Sequence, residues 1–109
     1  MTGVREGIDL GSVEQIPVGE GRAYVVDGEP VAVFRLRDGS VRALGGICPH
    51  RGGPLADGLI DGAVVVCPLH GYTYDLLNGE ETANGGAPVR AYVATVCADG
   101  AVRVAAPAT

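Results

Sequence analysis

The chain has 109 residues but no tryptophan, no lysine and no apolar run longer than the five residues at positions 63–67. Because a helix that crosses a bilayer needs about 20 apolar residues, the sequence predicts no transmembrane segment. The first residues also lack the basic region and the following apolar stretch of a signal peptide. We therefore expect a cytoplasmic protein with no membrane partner.

Basic and aromatic side chains are also scarce. Eight arginines face thirteen acidic residues, which gives a net charge of −5, and the aromatics are one phenylalanine and four tyrosines. Nucleic acid repels such a chain at long range, and too few aromatics remain for a base-stacking platform. We therefore expect no nucleic-acid partner. The acidic surface suits a basic patch on another protein, although the same charge also serves ordinary solubility.

Turn signals and alternating apolar residues predict a chain of short antiparallel strands. The composition includes 18 glycines and seven prolines, which is typical of strands joined by turns rather than of long helices. Asp27-Gly28 and Asp38-Gly39 are hairpin turn signals. They separate predicted strands at residues 22–26, 30–36 and 41–44.

A second hairpin is predicted at the carboxyl end, where residues 89–97 and 101–104 flank the turn Ala98-Asp99-Gly100. In the strand at 30–36, the residues expected to face the core are Ala32, Phe34 and Leu36. Helical periodicity is absent from every stretch of ten or more residues. The expected fold is a single all-β domain, a small antiparallel β-sandwich or barrel.

The residues that carry chemistry concentrate between positions 45 and 79, a segment rich in glycine and proline. Both histidines and two of the three cysteines lie here, in Cys48-Pro49-His50 and, sixteen residues later, in Cys67-Pro68-Leu69-His70. Thiolates and imidazoles at such short spacing are ligands for zinc or an iron–sulfur centre. A zinc site stays open, although its usual spacing pairs like ligands. Mixed pairs suit two irons better, because both cysteines can bind one iron while both histidines bind the other.

These motifs resemble the two cluster-binding boxes of the Rieske [2Fe–2S] family. The matching runs are Cys48-Pro49-His50-Arg51-Gly52 and Cys67-Pro68-Leu69-His70-Gly71. Gly85-Gly86-Ala87-Pro88 is similar to the third loop of the family, which contains proline and covers the cluster. The resemblance implies that residues 1–109 form one Rieske domain. Its β-sandwich or barrel scaffold would carry an inserted cluster-binding subdomain at about residues 45–79.

The resemblance also implies a ligand set and a cofactor, one Rieske-type [2Fe–2S] cluster. Cys48 and Cys67 would bind the inner iron, and His50 and His70 the outer iron. With two ferric ions, two sulfides, two thiolates and neutral imidazoles, the oxidised centre has no net charge. An electron can therefore arrive without burying a large net charge.

Several positions near the boxes bear on the reduction potential. High-potential members of the family carry a disulfide where this chain has Gly53 and Leu69, and a serine where it has Tyr72. Tyr74 matches the family's tyrosine that donates to a ligand thiolate, and Pro88 lies in the covering loop. Because fewer donors to the sulfurs stabilise the reduced cluster less, we expect a potential of about −150 to 0 mV. The third cysteine, Cys97, is expected to be a small buried apolar residue.

The sequence contains no glycine-rich dinucleotide loop, and ligation would use both histidines. The expected function is therefore one-electron transfer rather than independent catalysis. Two sets of partners are open: a flavin reductase with a terminal oxygenase, or the large subunit of an assimilatory NAD(P)H nitrite reductase. The alternative from another class is a non-redox β domain, stapled by zinc or free of metal, that binds a partner protein.

Overall fold

The computed structural model describes residues 7–47, 53–68, 71–83 and 85–105. Within these ranges the fold is almost entirely β, as expected, and each of its two 3-10 helices, Val13–Gln15 and Leu55–Asp57, is a single turn. The strands are β1 (Ile8–Ser12), β2 (Gly21–Val26), β3 (Glu29–Arg35), β4 (Val41–Gly45), β5 (Leu59–Asp61), β6 (Val64–Val66), β7 (Thr73–Asp75), β8 (Ala91–Val96) and β9 (Ala101–Ala105). In the part of the chain described, no helix is long and apolar enough to cross a membrane.

A six-stranded antiparallel sheet in the order β1-β9-β8-β4-β3-β2 forms the scaffold. It contains the predicted meander β2-β3-β4. Asp27 and Gly28 both have positive φ, 53° and 80°, as a two-residue turn between right-twisted strands requires. Aspartate tolerates this conformation better than most residues, so the local signal in the sequence is sufficient to set the register.

Strand β3 is buried on both faces, which the prediction of a single core face missed. Ala32 and Phe34 face one buried cluster, as expected, but Val31 and Val33 are equally buried in a second one. Leu36 lies just beyond the strand and is half-buried. One face of β3 packs in a cluster formed by residues of the large sheet and the segment before β2. Other elements of the chain pack against its opposite face.

The elements on that opposite face form a second sheet of three strands in the order β5-β6-β7. Val65 of β6 and Tyr74 of β7 share a buried cluster with Phe34 of β3 and Leu44 of β4. The short 3-10 helix Leu55–Asp57 contributes Leu55 to the same cluster. This packing holds the small sheet in a fixed position on the scaffold.

The carboxyl-terminal hairpin differs from its prediction in length. The predicted strand at 89–97 is shorter, since β8 spans Ala91–Val96. Cys97 follows the strand in the turn, where its N–H donates to the carbonyl of Ala101 at 2.8 Å. It is half-buried, so the expectation of a buried strand cysteine is wrong.

Candidate metal centre

Of the four predicted ligands, the structure describes Cys67, while Cys48, His50 and His70 lie outside the described residues. Cys67 follows β6 directly and is 1% exposed, in the cluster that also contains Leu55 and Tyr74. Its N–H donates to the carbonyl of Tyr72 at 2.7 Å, and its carbonyl accepts from the N–H of Gly71 at 3.1 Å. The second box is thus closed at its base, with its cysteine directed into the core.

The base of the first box is closed in a similar way. Ile47 and Pro54 form an isolated antiparallel bridge, and the N–H of Leu55 donates to the carbonyl of Gly46 at 2.9 Å. The residues directly after β4 are therefore paired with those at the start of the 3-10 helix Leu55–Asp57. The first box lies between these two flanking positions in the sequence.

The bases of the two boxes lie side by side. In the β5–β6 pair, Leu59 is opposite Val66, so the next residues outward are Gly58, which follows the first box, and Cys67. The approach at Gly58 is close: a Cβ built there would lie 2.3 Å from the carbonyl oxygen of Val66 and 3.1 Å from that of Leu55. Gly58, which follows the first box in the sequence, and Cys67, which begins the second, therefore lie at the same end of the small sheet.

The third loop reaches the same end of the sheet. A Cβ built on Gly86 would lie 3.1 Å from the ring of Tyr72, which is half-buried, and Pro88 is exposed. At the far side of the loop, the carbonyl of Arg90 accepts from the N–H of Gly45 at 2.7 Å, three residues before the first box. The described residues that flank or belong to the three segments identified in the sequence therefore lie close together.

Glu81 is a site residue that sequence reasoning missed. Its carboxylate accepts hydrogen bonds from the backbone N–H groups of Thr73 at 3.2 Å, Ala83 at 3.2 Å and Gly86 at 3.1 Å. It joins the strand that follows the second box to the third loop. In the sequence it is one of thirteen acidic residues, and its contact with Thr73 arises only when the chain folds back beside β7.

The surroundings of Cys67 fit a thiolate that binds a metal. A charged group in an apolar cluster is costly unless a cation compensates it, and a bound ferric ion would supply that compensation. A soft thiolate is also a preferred ligand of iron–sulfur clusters. The buried position of Cys67 therefore suits a ligand of the inner of two irons, which is the role expected for it.

Tyr74 is fully buried in β7, seven residues after Cys67 in the chain. We predict that replacing Tyr74 by phenylalanine lowers the reduction potential of the cluster by about 40 mV, the one-electron equivalent of a hydrogen bond worth about 1 kcal/mol. Protein-film voltammetry would measure it. A matched Tyr24→Phe variant, on β2 of the scaffold, should leave the potential unchanged. Equal potentials in the Tyr74→Phe variant and the parent would exclude a hydroxyl donor at this position.

Comparison with known families gives a match over most of the chain. The model of the family described as "Rieske [2Fe-2S] domain" matches residues 7–95. The anthranilate 1,2-dioxygenase ferredoxin subunit of Burkholderia cepacia is 33% identical over 96 residues, which cover 87% of this chain and 87% of that protein. A match to the longer oxygenase component of dicamba O-demethylase from Stenotrophomonas maltophilia is 48% identical over 46 residues but spans only 14% of that protein.

Two solved structures resemble the whole fold. The ferredoxin of carbazole 1,9a-dioxygenase from Nocardioides aromaticivorans IC177 has a TM-score of 0.85 and 31% identity, over 94% of this chain and 100% of that chain. A protein from Mycobacterium tuberculosis, described as the small subunit of an NADH-dependent nitrite reductase, has a TM-score of 0.89 and 26% identity, over 97% and 100% of the two chains. The similar folds therefore include a ferredoxin of a dioxygenase system and a protein described as a nitrite reductase small subunit.

Proposed function

Because the chain belongs to the Rieske [2Fe–2S] domain family, we propose that it carries single electrons from a flavin reductase to a terminal oxygenase. Membership of the family implies one Rieske-type [2Fe–2S] cluster, which accepts and releases one electron when bound. The observation that carries the proposal is the similarity to a ferredoxin subunit over 87% of both chains. A cytoplasmic location is part of the same proposal.

We propose that Cys48, His50, Cys67 and His70 hold this cluster, within a subdomain at about residues 45–79. The burial of Cys67 and the adjacent bases of the two boxes support the assignment. The two cysteines would bind the inner iron, and the two histidines the outer iron, from which the electron leaves. Tyr72, Tyr74 and Pro88 would surround the cluster without binding iron.

A second candidate function is that of a nitrite reductase small subunit. The TM-score of 0.89 over 97% of this chain favours it, whereas the higher sequence identities favour the ferredoxin role. The two roles differ in the partner. A carrier binds its reductase and oxygenase transiently, whereas a small subunit forms a lasting complex with a large subunit that contains flavin and sirohaem.

The experiment uses the full chain after anaerobic reconstitution with iron and sulfide. We expect a brown protein whose reduced form gives the rhombic EPR signal of a cluster with two histidine ligands. A small NADH-dependent flavin reductase should reduce it without forming a complex that survives gel filtration. A colourless protein that holds one zinc ion or no metal would overturn the carrier role. A stable complex with a nitrite reductase large subunit would assign the second role instead.

Charge is distributed unevenly between the two parts of the chain. Residues 53–89 contain no arginine and five acidic residues, which are Asp57, Asp61, Asp75, Glu80 and Glu81. The other eight acidic residues are balanced by the eight arginines, with histidine counted as neutral. The part of the chain that contains the small sheet therefore carries the whole net charge and favours a partner with a basic docking face.

This asymmetry predicts that electron transfer depends on ionic strength. The bimolecular rate with basic cytochrome c as an acceptor should fall about tenfold between 10 mM and physiological salt, because screening removes the long-range attraction. Stopped-flow absorbance measures the rate. The double variant Asp57→Asn/Asp61→Asn should show a weaker dependence of the rate on ionic strength than the matched double variant Asp27→Asn/Asp99→Asn in the scaffold turns. Equal salt dependence in the two variants would argue against docking on the small sheet.

A further inference from the structure

The carboxylate of Glu81 links two segments of the proposed cluster site that are separated in the sequence, β7 and the third loop. One oxygen, Oε1, accepts from the N–H of Gly86 in the third loop, while Oε2 accepts from the N–H groups of Thr73 in β7 and Ala83. A carboxylate that accepts several backbone N–H groups makes stronger hydrogen bonds than a neutral acceptor. Glu81 therefore fastens the start of the third loop to the strand that follows the second box.

The main chain around Glu81 is positioned by β7. Tyr74 and Glu81 form an antiparallel bridge, and the N–H of Thr82 donates to the carbonyl of Thr73 at 2.8 Å. This pairing directs the Glu81 side chain, which is half-buried, toward the third loop. The neighbouring Glu80 is exposed, and among the described residues its carboxylate makes no hydrogen bond or ion pair.

The hydrogen bond to Gly86 acts together with the contact of Gly86 with Tyr72. The ring of Tyr72 lies against Gly86, and a built Cβ on Gly86 would also lie 3.5 Å from Cγ of Glu81. The carbonyl of Tyr72 accepts from the N–H of Cys67. A continuous series of contacts thus runs from the buried cysteine through Tyr72 and Gly86 to the Glu81 carboxylate.

We infer that Glu81 is a positioning residue for the metal centre: its carboxylate holds the third loop against the second box and so keeps water from that side of the cluster. The inference rests on the proposed ligand set and on the loop's proposed place over the cluster. Removing the carboxylate should release the loop, although no ligand is lost. A released loop would expose the cluster to water, which stabilises the more negative, reduced state.

The test compares Glu81→Ala with Glu80→Ala in the reconstituted full-length protein. Both variants remove one negative charge at adjacent positions, but only the first removes the three hydrogen bonds. We expect hydrogen exchange measured by mass spectrometry to accelerate about tenfold or more in the peptide that covers residues 83–90 of Glu81→Ala. Exchange in the β2–β3 hairpin should not change.

Two properties of the bound cluster provide the second readout. In Glu81→Ala the cluster should be lost to a chelator about tenfold faster than in Glu80→Ala, and its reduction potential should lie higher. Glu81→Gln should give intermediate values, because an amide has one acceptor oxygen and can keep only part of the hydrogen bonds. This variant also serves if Glu81→Ala does not fold, as judged by circular dichroism.

Equal exchange and equal cluster lifetimes in Glu81→Ala and Glu80→Ala would overturn the inference. A uniform acceleration of exchange over both sheets would also overturn it, because Glu81 would then be a general stabiliser. A parent protein that binds no cluster would instead refute the proposed function. The exchange comparison in the cluster-free protein would still decide whether Glu81 holds the loop.

Discussion

Replacing Cys67 by serine should abolish the visible absorption and the EPR signal of the cluster. A serine oxygen is a poor substitute for a soft thiolate ligand of iron, and in this buried position water has little access to replace the missing ligand. The protein itself should remain folded, with a loss of about 1–2 kcal/mol from the buried hydroxyl. Absorption and EPR spectra after anaerobic reconstitution, with circular dichroism as a check of the fold, measure both effects.

Cys97→Ser provides the matched control. Cys97 lies beyond the far end of β8, six strand residues, or about 20 Å, from the third loop. This variant should therefore keep the spectra of the parent protein. Retention of the cluster signal in Cys67→Ser would contradict the proposed ligand set, as would its loss in Cys97→Ser.

The parts of the fold that depend on local signals could be predicted from the sequence. The turn at Asp27-Gly28 needs two residues with positive φ, and this requirement is visible in the residue types themselves. The turn before β9 is similar, with Gly100 at a φ of 87°. Such turns set the register of their strands, so the hairpins follow from sequence with little further information.

The layers of the fold could not be predicted in the same way. The alternation in β3 indicates which residues share a face, but it does not show that a second sheet covers the outer face, so the burial of both Val33 and Phe34 was not evident. Strand β1 gives a weak signal because it is short, its Ile8 is exposed and its pairing with β9 is irregular after Asp9. Burial depends on contacts between distant segments, which periodicity does not encode.

In the candidate site, too, some residues could be predicted from local sequence motifs and others could not. Cys67 and the other predicted ligands form a motif that the sequence displays directly, because short chelating loops must keep their ligands close together in the chain. Glu81 and Gly58 belong to no such motif. Each acts through a contact with a segment that is near in space but not adjacent in sequence, Glu81 with Thr73 and Gly58 with Val66.

Gly58 therefore leads to the second prediction with a large effect, that Gly58→Ala destabilises the fold by about 3 kcal/mol. The backbone there, with φ −74° and ψ 166°, is open to any residue, so the effect comes from space alone. The new Cβ would lie 2.3 Å from the carbonyl oxygen of Val66 and 2.9 Å from Cγ2 of Val65. Since these atoms belong to a paired strand, the bases of the two boxes must separate.

Thermal unfolding of the cluster-free protein measures this loss, which should lower the midpoint by about 15 °C in a domain of this size. The same separation should weaken cluster retention, because the ligands of the two boxes must meet across one site. Gly45→Ala is the control, since a Cβ on that β4 residue would have its nearest neighbour at 3.6 Å, an ordinary contact. Equal midpoints in the two variants would mean that the chain can separate at Gly58 and Val66 at no cost, which would contradict the argument from close packing.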